Sequence, residues 1–158
     1  MTATANPAFK TERVTRSHSF KLPLAAAKAF EFFTPEGERA WAEGWDPQYL
    51  HPANGRTEAG MVFLTRHGAE ETIWTMTRHE PGNGVVEYVR TTPGSRTATV
   101  LVQCASLGEK ETRVTVIYAF TPLSASGVEQ VRKMDEANYR EFIDSWQSAI
   151  VKSLKRPV

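Results

Sequence analysis

The hydrophobic period changes once along this chain, and that change limits the folds open to it. Between residues 61 and 121 apolar side chains alternate with polar ones, in runs broken by Pro81-Gly82-Asn83-Gly84 and Pro93-Gly94. A period of two marks a half-buried strand. Between residues 124 and 154 the period becomes three to four, with Val128, Val131, Asp135, Tyr139, Phe142, Trp146, Ala149 and Ile150 on one stripe. That spacing predicts one unbroken amphipathic helix, capped by Ser124 or Ser126. At ~1.5 Å per residue it would run roughly 40–45 Å, whereas a ten-residue strand runs only ~33 Å. The helix is long enough to cross a whole sheet.

The first third of the chain supplies the remaining elements. Residues 12–22 alternate, with Val14, His18, Phe20 and Leu22 on one parity, and predict a strand. Residues 25–33 predict a helix with Ala26, Phe30 and Phe33 on one face. Thr34 caps a second short helix, Pro35 takes its first position, Glu36 meets its positive end, and Gly44 ends it. Further strands are expected over residues 48–51, 61–66, 72–78, 85–92, 96–107 and 112–121. Short turns between them imply an antiparallel meander. One helix cannot cover both faces of a seven-stranded sheet. The expected fold is therefore α+β: a curved seven-stranded antiparallel sheet wrapped around the C-terminal helix, with two short helices after the first strand. Such a wrap leaves a cleft unless large side chains fill it.

Composition narrows the function. The 158 residues suit one domain, expected over residues 12–156 behind a flexible tail at 1–11. The 19 Lys and Arg balance 18 Asp and Glu, which argues against an electrostatic nucleic-acid partner. No stretch reaches the ~18 apolar residues of a membrane span. No signal-peptide pattern opens the chain, so a cytoplasmic location is expected. Cys104 is the sole cysteine and sits in an apolar run, as a small buried hydrophobe would. The histidines at 18, 51, 67 and 79 lack ligand spacing, so no metal is expected. No P-loop, Gly-x-Gly-x-x-Gly or Gly-x-Ser-x-Gly occurs, so no cofactor is expected either. Oligomeric state stays open, a homodimer being the commonest soluble assembly. Four Trp, four Tyr and eight Phe must nevertheless line something.

Several segments resemble a known superfamily. They are Thr34-Pro35-Glu36-Gly37-Glu38-Arg39-Ala40-Trp41, then Gly44-Trp45-Asp46-Pro47, Gly60-Met61-Val62-Phe63 and Thr72-Ile73-Trp74. Val116-Ile117-Tyr118-Ala119-Phe120-Thr121-Pro122-Leu123-Ser124 with Gly127 completes the set. With the element order, these resemble the START/polyketide-cyclase-like (SRPBCC) superfamily of the helix-grip fold. The resemblance implies a cavity between sheet and long helix for a lipid-, sterol- or polyketide-like molecule. It leaves two alternatives: a cyclase or aromatase moving a proton with a cavity His, Asp or Tyr, and a protein-interaction module like the chaperone-activator relatives.

Strand parity selects candidate cavity residues. Phe20, Trp45, Phe63, Trp74, Met76, Tyr88, Tyr118, Phe142 and Trp146 are the expected ligand contacts, with Met134 and Asn138 sharing the roof. The candidates for proton transfer are His18, Asp46 and Tyr88. His18 reads as a group that orients or protonates a ligand carbonyl, or as a hydrogen-bonded core histidine or an exposed one without chemistry. Asp46 reads as an acid–base group or as an ordinary loop aspartate. Tyr88 and Tyr118 can hold a ligand oxygen or bond protein. Trp45 either walls the cavity mouth or plugs the core. Glu70 and Glu71 are adjacent, so they face opposite ways and read as a solvated hairpin edge.

Overall fold

The fold is known from a computed structural model that describes residues 9–156. Most of the tail expected at residues 1–11 lies outside the described residues. The strands are β1 (Val14–Leu22), β2 (Gln48–His51), β3 (Val62–His67), β4 (Glu70–Glu80), β5 (Val85–Thr92), β6 (Arg96–Gly108) and β7 (Glu111–Pro122). They form one curved sheet in the order β1-β7-β6-β5-β4-β3-β2, and each neighbouring pair is antiparallel. The meander read from the turn residues is thus present, with β1 returning to pair with the last strand. The turn between β4 and β5 needs Gly84, which adopts φ +67°. A Cβ there would also strike the Cys104 carbonyl, while the Cys104 amide donates to the Gly84 carbonyl at 2.7 Å and ties the turn to β6.

Two short helices, α1 (Ala26–Glu31) and α2 (Pro35–Glu38), follow β1. The Thr34 hydroxyl accepts from the Gly37 amide and so caps α2 as its sequence predicts. The C-terminal segment differs from expectation. It is two helices, α3 (Ala125–Arg132) and α4 (Glu136–Leu154), rather than one. The three-to-four spacing continues across the break, but local hydrogen bonding does not. The Asp135 carboxylate accepts from the Asn138 amide at 2.8 Å and starts a new helix. Asn138 Nδ2 donates to the Lys133 carbonyl at 2.8 Å, so Asn138 stays on the exposed surface instead of roofing a cavity. At ~1.5 Å per residue, the 19 residues of α4 span about 28 Å.

The concave face of the sheet packs on α4. Tyr139, Ile143 and Ile150 of α4 are buried against Leu22, Val114 and Val116 and their neighbours. Burying each isoleucine contributes ~1.5–3 kcal/mol. The Tyr139 hydroxyl donates to the Val116 carbonyl at 2.7 Å and so ties α4 to β7. The helix α3 lies close on the β5–β6 turn: Gly127 touches the Ser95 carbonyl, leaving no room for a side chain. Cys104 is buried, and burial pushes its thiol up to about 12. No helix among the described residues is long and apolar enough to cross a membrane.

Candidate functional site

The space between the sheet and α4 is partly filled and partly open. A hollow of about 420 Å³ lies under the α3–α4 junction, walled by Trp45, Thr65, Thr72, Trp74, Arg90, Arg96, Met134 and Phe142. A second hollow of about 150 Å³ shares Arg90, Arg96, Met134 and Phe142 with it and adds Ala98, Tyr118 and Phe120. Deeper still, a void of about 10 Å³ is enclosed by Phe33, Glu38, Trp74, Tyr88, Val100, Val102, Tyr118 and Trp146. That is the lower limit for a single water. A larger groove of about 560 Å³ runs along α2 and the end of α4. Its wall includes the exposed Arg39, Ala40, Glu43, Gly44, Lys152 and Arg156, so it would enclose little of any ligand.

The sequence builds the wall of the main hollow from several elements. Thr72 and Trp74 alternate inward along β4, and Arg90 stands beside Trp74 on β5. Thr65 on β3 accepts from Trp74 Nε1 at 2.9 Å and orients the indole. The Thr72 and Thr92 hydroxyls bond each other at 2.9 Å in the buried floor. Trp45 is held by its own Nε1, which donates to the Pro35 carbonyl at 2.8 Å, and it meets Trp74 edge-on at 5.3 Å. Arg39 fixes the loop carrying Trp45 by donating to Glu36 at 2.7 Å and to Asp46 at 3.1 Å. The Tyr49 hydroxyl also bonds Glu36. Met134 hangs over the hollow from the break between α3 and α4, and Arg16 Nε donates to its carbonyl at 3.0 Å. The helix break thus places a flexible thioether at the cavity roof.

The expected residues divide between wall and core. Trp45, Trp74, Tyr118 and Phe142 line the two hollows, whereas Tyr88 and Trp146 face the small inner void. Phe20, Phe63 and Met76 line none of these spaces; Phe63 stacks on Trp74 at 5.8 Å as part of the core. The candidates for proton transfer have other partners. His18 Nε2 lies 2.8 Å from Asp144 Oδ1 of α4, outside the hollows. Asp46 is exposed and holds Arg39. The Tyr88 hydroxyl donates to the Phe33 carbonyl at 2.6 Å. Glu70 is not a freely solvated edge residue: Arg96 grips it through two hydrogen bonds, at 2.9 and 3.1 Å, and it lines the main hollow. This grip holds its carboxyl below the usual range.

Two polar residues of the site, Arg96 and Glu38, carry no signal in the strand parities, while a third, Arg90, shares the inward parity of Tyr88 without standing among the expected ligand contacts. Its guanidinium lies over the Trp74 ring at 5.0 Å. Arg96 opens β6 beside a turn and reads as a surface residue until Glu70 is brought to it across β5. Glu38 sits at the end of α2 with its carboxyl on the inner void, and among the described residues no group hydrogen-bonds that carboxyl. Desolvation holds it well above the usual carboxylate range, against the pull of Arg90. Burial likewise pushes Tyr118 up to about 12.

The sequence matches no family model and no curated protein. Solved structures do match the fold. Truncated norcoclaurine synthase from Thalictrum flavum is 8% identical with a TM-score of 0.70, covering 97% of this chain and 100% of its own. The same enzyme in complex with dopamine and hydroxybenzaldehyde is 7% identical with a TM-score of 0.65, covering 100% of this chain and 98% of its own. The Mll3558 protein from Rhizobium loti is 14% identical with a TM-score of 0.62, covering 89% and 99%. At such identities the likeness is one of fold, and the fold is the helix grip.

Proposed function

We propose that this chain binds a small aromatic molecule in the hollows between the concave sheet face and α4. The observation that carries the reading is the wall itself. Trp45, Trp74, Met134 and Phe142 supply apolar surface around about 420 Å³, Thr65, Thr72, Arg90 and the Arg96–Glu70 pair supply polar groups, and the exposed Glu43, Arg66 and His67 complete the wall. Concave, mostly apolar sites of ~300–1,000 Å³ are typical for small ligands. The norcoclaurine synthase complex, in which the same fold holds two aromatic molecules, supports an aromatic ligand over an extended acyl chain. Titration with N-phenyl-1-naphthylamine, a neutral fluorophore, tests the reading. Saturable binding is expected, and Met134→Trp should abolish it by filling the roof. Absence of saturation with the unaltered chain would refute the reading.

A second reading is proton transfer on a bound carbonyl compound, favoured by the enclosed Glu38 carboxyl beside Tyr118. As carboxylate, Glu38 would take an α-proton, through the single water the inner void admits, from a ketone in the adjoining hollow; the Tyr118 hydroxyl, which borders both spaces, would hydrogen-bond the enolate oxygen, and the proton would return to carbon by the same water. Deuterium exchange at the α-carbon of 2-tetralone, followed by NMR, tests it. Exchange faster than in buffer and lost in Glu38→Gln is expected; buffer-rate exchange sinks it.

A further inference from the structure

Three arginines stand on the wall of the main hollow, and two are already neutralised. Arg66 donates to Glu71 at 3.0 Å. Arg96 holds Glu70 through two bonds. Arg90 differs: among the described residues no carboxylate lies within ion-pair distance of it.

Its position makes that difference matter. Arg90 projects from the middle of the sheet, between Trp74 on β4 and Ala98 on β6. It is half-buried and borders both hollows. A guanidinium stays charged at any pH a protein survives and carries five N–H donors. In a partly desolvated site those donors need acceptors. The Tyr118 hydroxyl lies beside it and satisfies at most one. Of the residues that complete this hollow, Ala98, Phe120, Met134 and Phe142 offer no side-chain oxygen, Gln130 offers one neutral amide oxygen, and Lys133 adds a second cation. Glu38 lies on the inner side, where desolvation favours its neutral acid. The Glu70 carboxylate feels the charge of Arg90 from a distance, but both of its oxygens are bound by Arg96. Trp74 supports one face of the guanidinium and leaves its edge free for a planar oxyanion.

We propose that the ligand of this cavity is an aromatic anion, its carboxylate or similar oxyanion held by the edge of Arg90 and its ring held among Trp45, Trp74 and Phe142. This inference rests on the small-molecule reading above and adds the charge of the ligand to it.

Two pairs of probes separate the inference from that reading. N-phenyl-1-naphthylamine and 1-anilinonaphthalene-8-sulfonate share a scaffold and differ by an anionic group. Both should bind the full chain. Arg90→Met should weaken the sulfonate about tenfold or more, the scale of a lost charge-assisted contact, and leave the neutral probe within about twofold. Lys152→Met, altered in the outer groove, should leave both unchanged. On the unaltered chain, 2-naphthoate should displace the neutral probe at a concentration about tenfold lower than isosteric 2-naphthamide does. That displacement needs no variant and decides the matter even if Arg90→Met fails to fold. Equal displacement, equal losses of both probes in Arg90→Met, or a sulfonate loss in Lys152→Met would overturn the inference while the cavity reading stands. Failure of the neutral probe to bind would overturn the cavity reading, and this inference with it.

Discussion

Replacing Glu38 by glutamine should stabilise the fold relative to the natural chain, and the advantage should grow with pH. The carboxyl faces the inner void among Phe33, Tyr88, Val100, Val102, Tyr118 and Trp146, where desolvation raises its folded-state pKa well above the ordinary 4.5. The unfolded chain gives up this proton near pH 4.5, whereas the native chain keeps it to higher pH. The contribution of Glu38 is therefore fully present below the unfolded pKa and is lost as pH rises through the folded one. Within that window stability falls by up to about 1.4 kcal/mol per pH unit. Glutamine keeps a similar shape and cannot ionise, so the variant lacks this slope. Glu36, Glu70 and Glu80 are held below their usual range by Arg39, Arg96 and Arg78 and slope the other way, but both chains retain them. They cancel in the difference. Urea unfolding of both chains at half-unit steps between pH 4 and pH 8 is the assay, with equal m-values as the control. In thermal melts the gap should widen by roughly 3–6 °C per pH unit, since ~1 kcal/mol moves Tm by ~2–4 °C in a chain of this size. Parallel pH profiles would refute the reasoning, because they would mean that Arg90 keeps Glu38 ionised in the native state.

Four further outcomes follow from the packing. Gly127→Ala should destabilise by about 1–3 kcal/mol, because the new methyl meets the Ser95 carbonyl; this reverses the ~1 kcal/mol that alanine gains over glycine in an open helix, and chemical denaturation would read it. Asp135→Ala should cost about 1 kcal/mol by removing the α4 cap; an unchanged urea midpoint would show that the helix break does not depend on it. Tyr139→Phe should cost about 1–2 kcal/mol, since the Val116 carbonyl loses its partner in a buried place; a loss under ~0.5 kcal/mol would mean that water reaches that carbonyl. Cys104 should resist a thiol reagent at pH 8 in the native chain and react on unfolding, because its thiol is buried and pushed up to about 12; prompt native labelling would contradict that burial.

Much of the architecture was legible in local pattern. Alternation located the strands, glycine and proline located the turns, and the parities of Phe63, Trp74, Tyr88 and Tyr118 placed them on the concave face. The helix break at Asp135 was hidden because the three-to-four spacing runs through it, with Asp135 itself taking a position on the stripe. The signal lay instead in an N-cap residue with a polar partner three positions on. The candidate site was read less well, for a different reason. His18, Asp46 and Tyr88 stood out as residue types, yet each is held by a group distant in sequence: His18 by Asp144, Asp46 by Arg39, and Tyr88 by the Phe33 carbonyl.

By itself the sequence determined the period of each segment, and hence a curved antiparallel sheet around a C-terminal helix with aromatic side chains turned toward it. Periodicity is a property of neighbours along the chain, so it survives without the fold. Only the tertiary structure decided which charges meet. Glu70 and Arg96 read alike as surface residues until two strands apart became neighbours across the hollow, and Arg90 became the cation left over. Charge pairing depends on distance through space, and distance through space exists only once the sheet has closed around the helix.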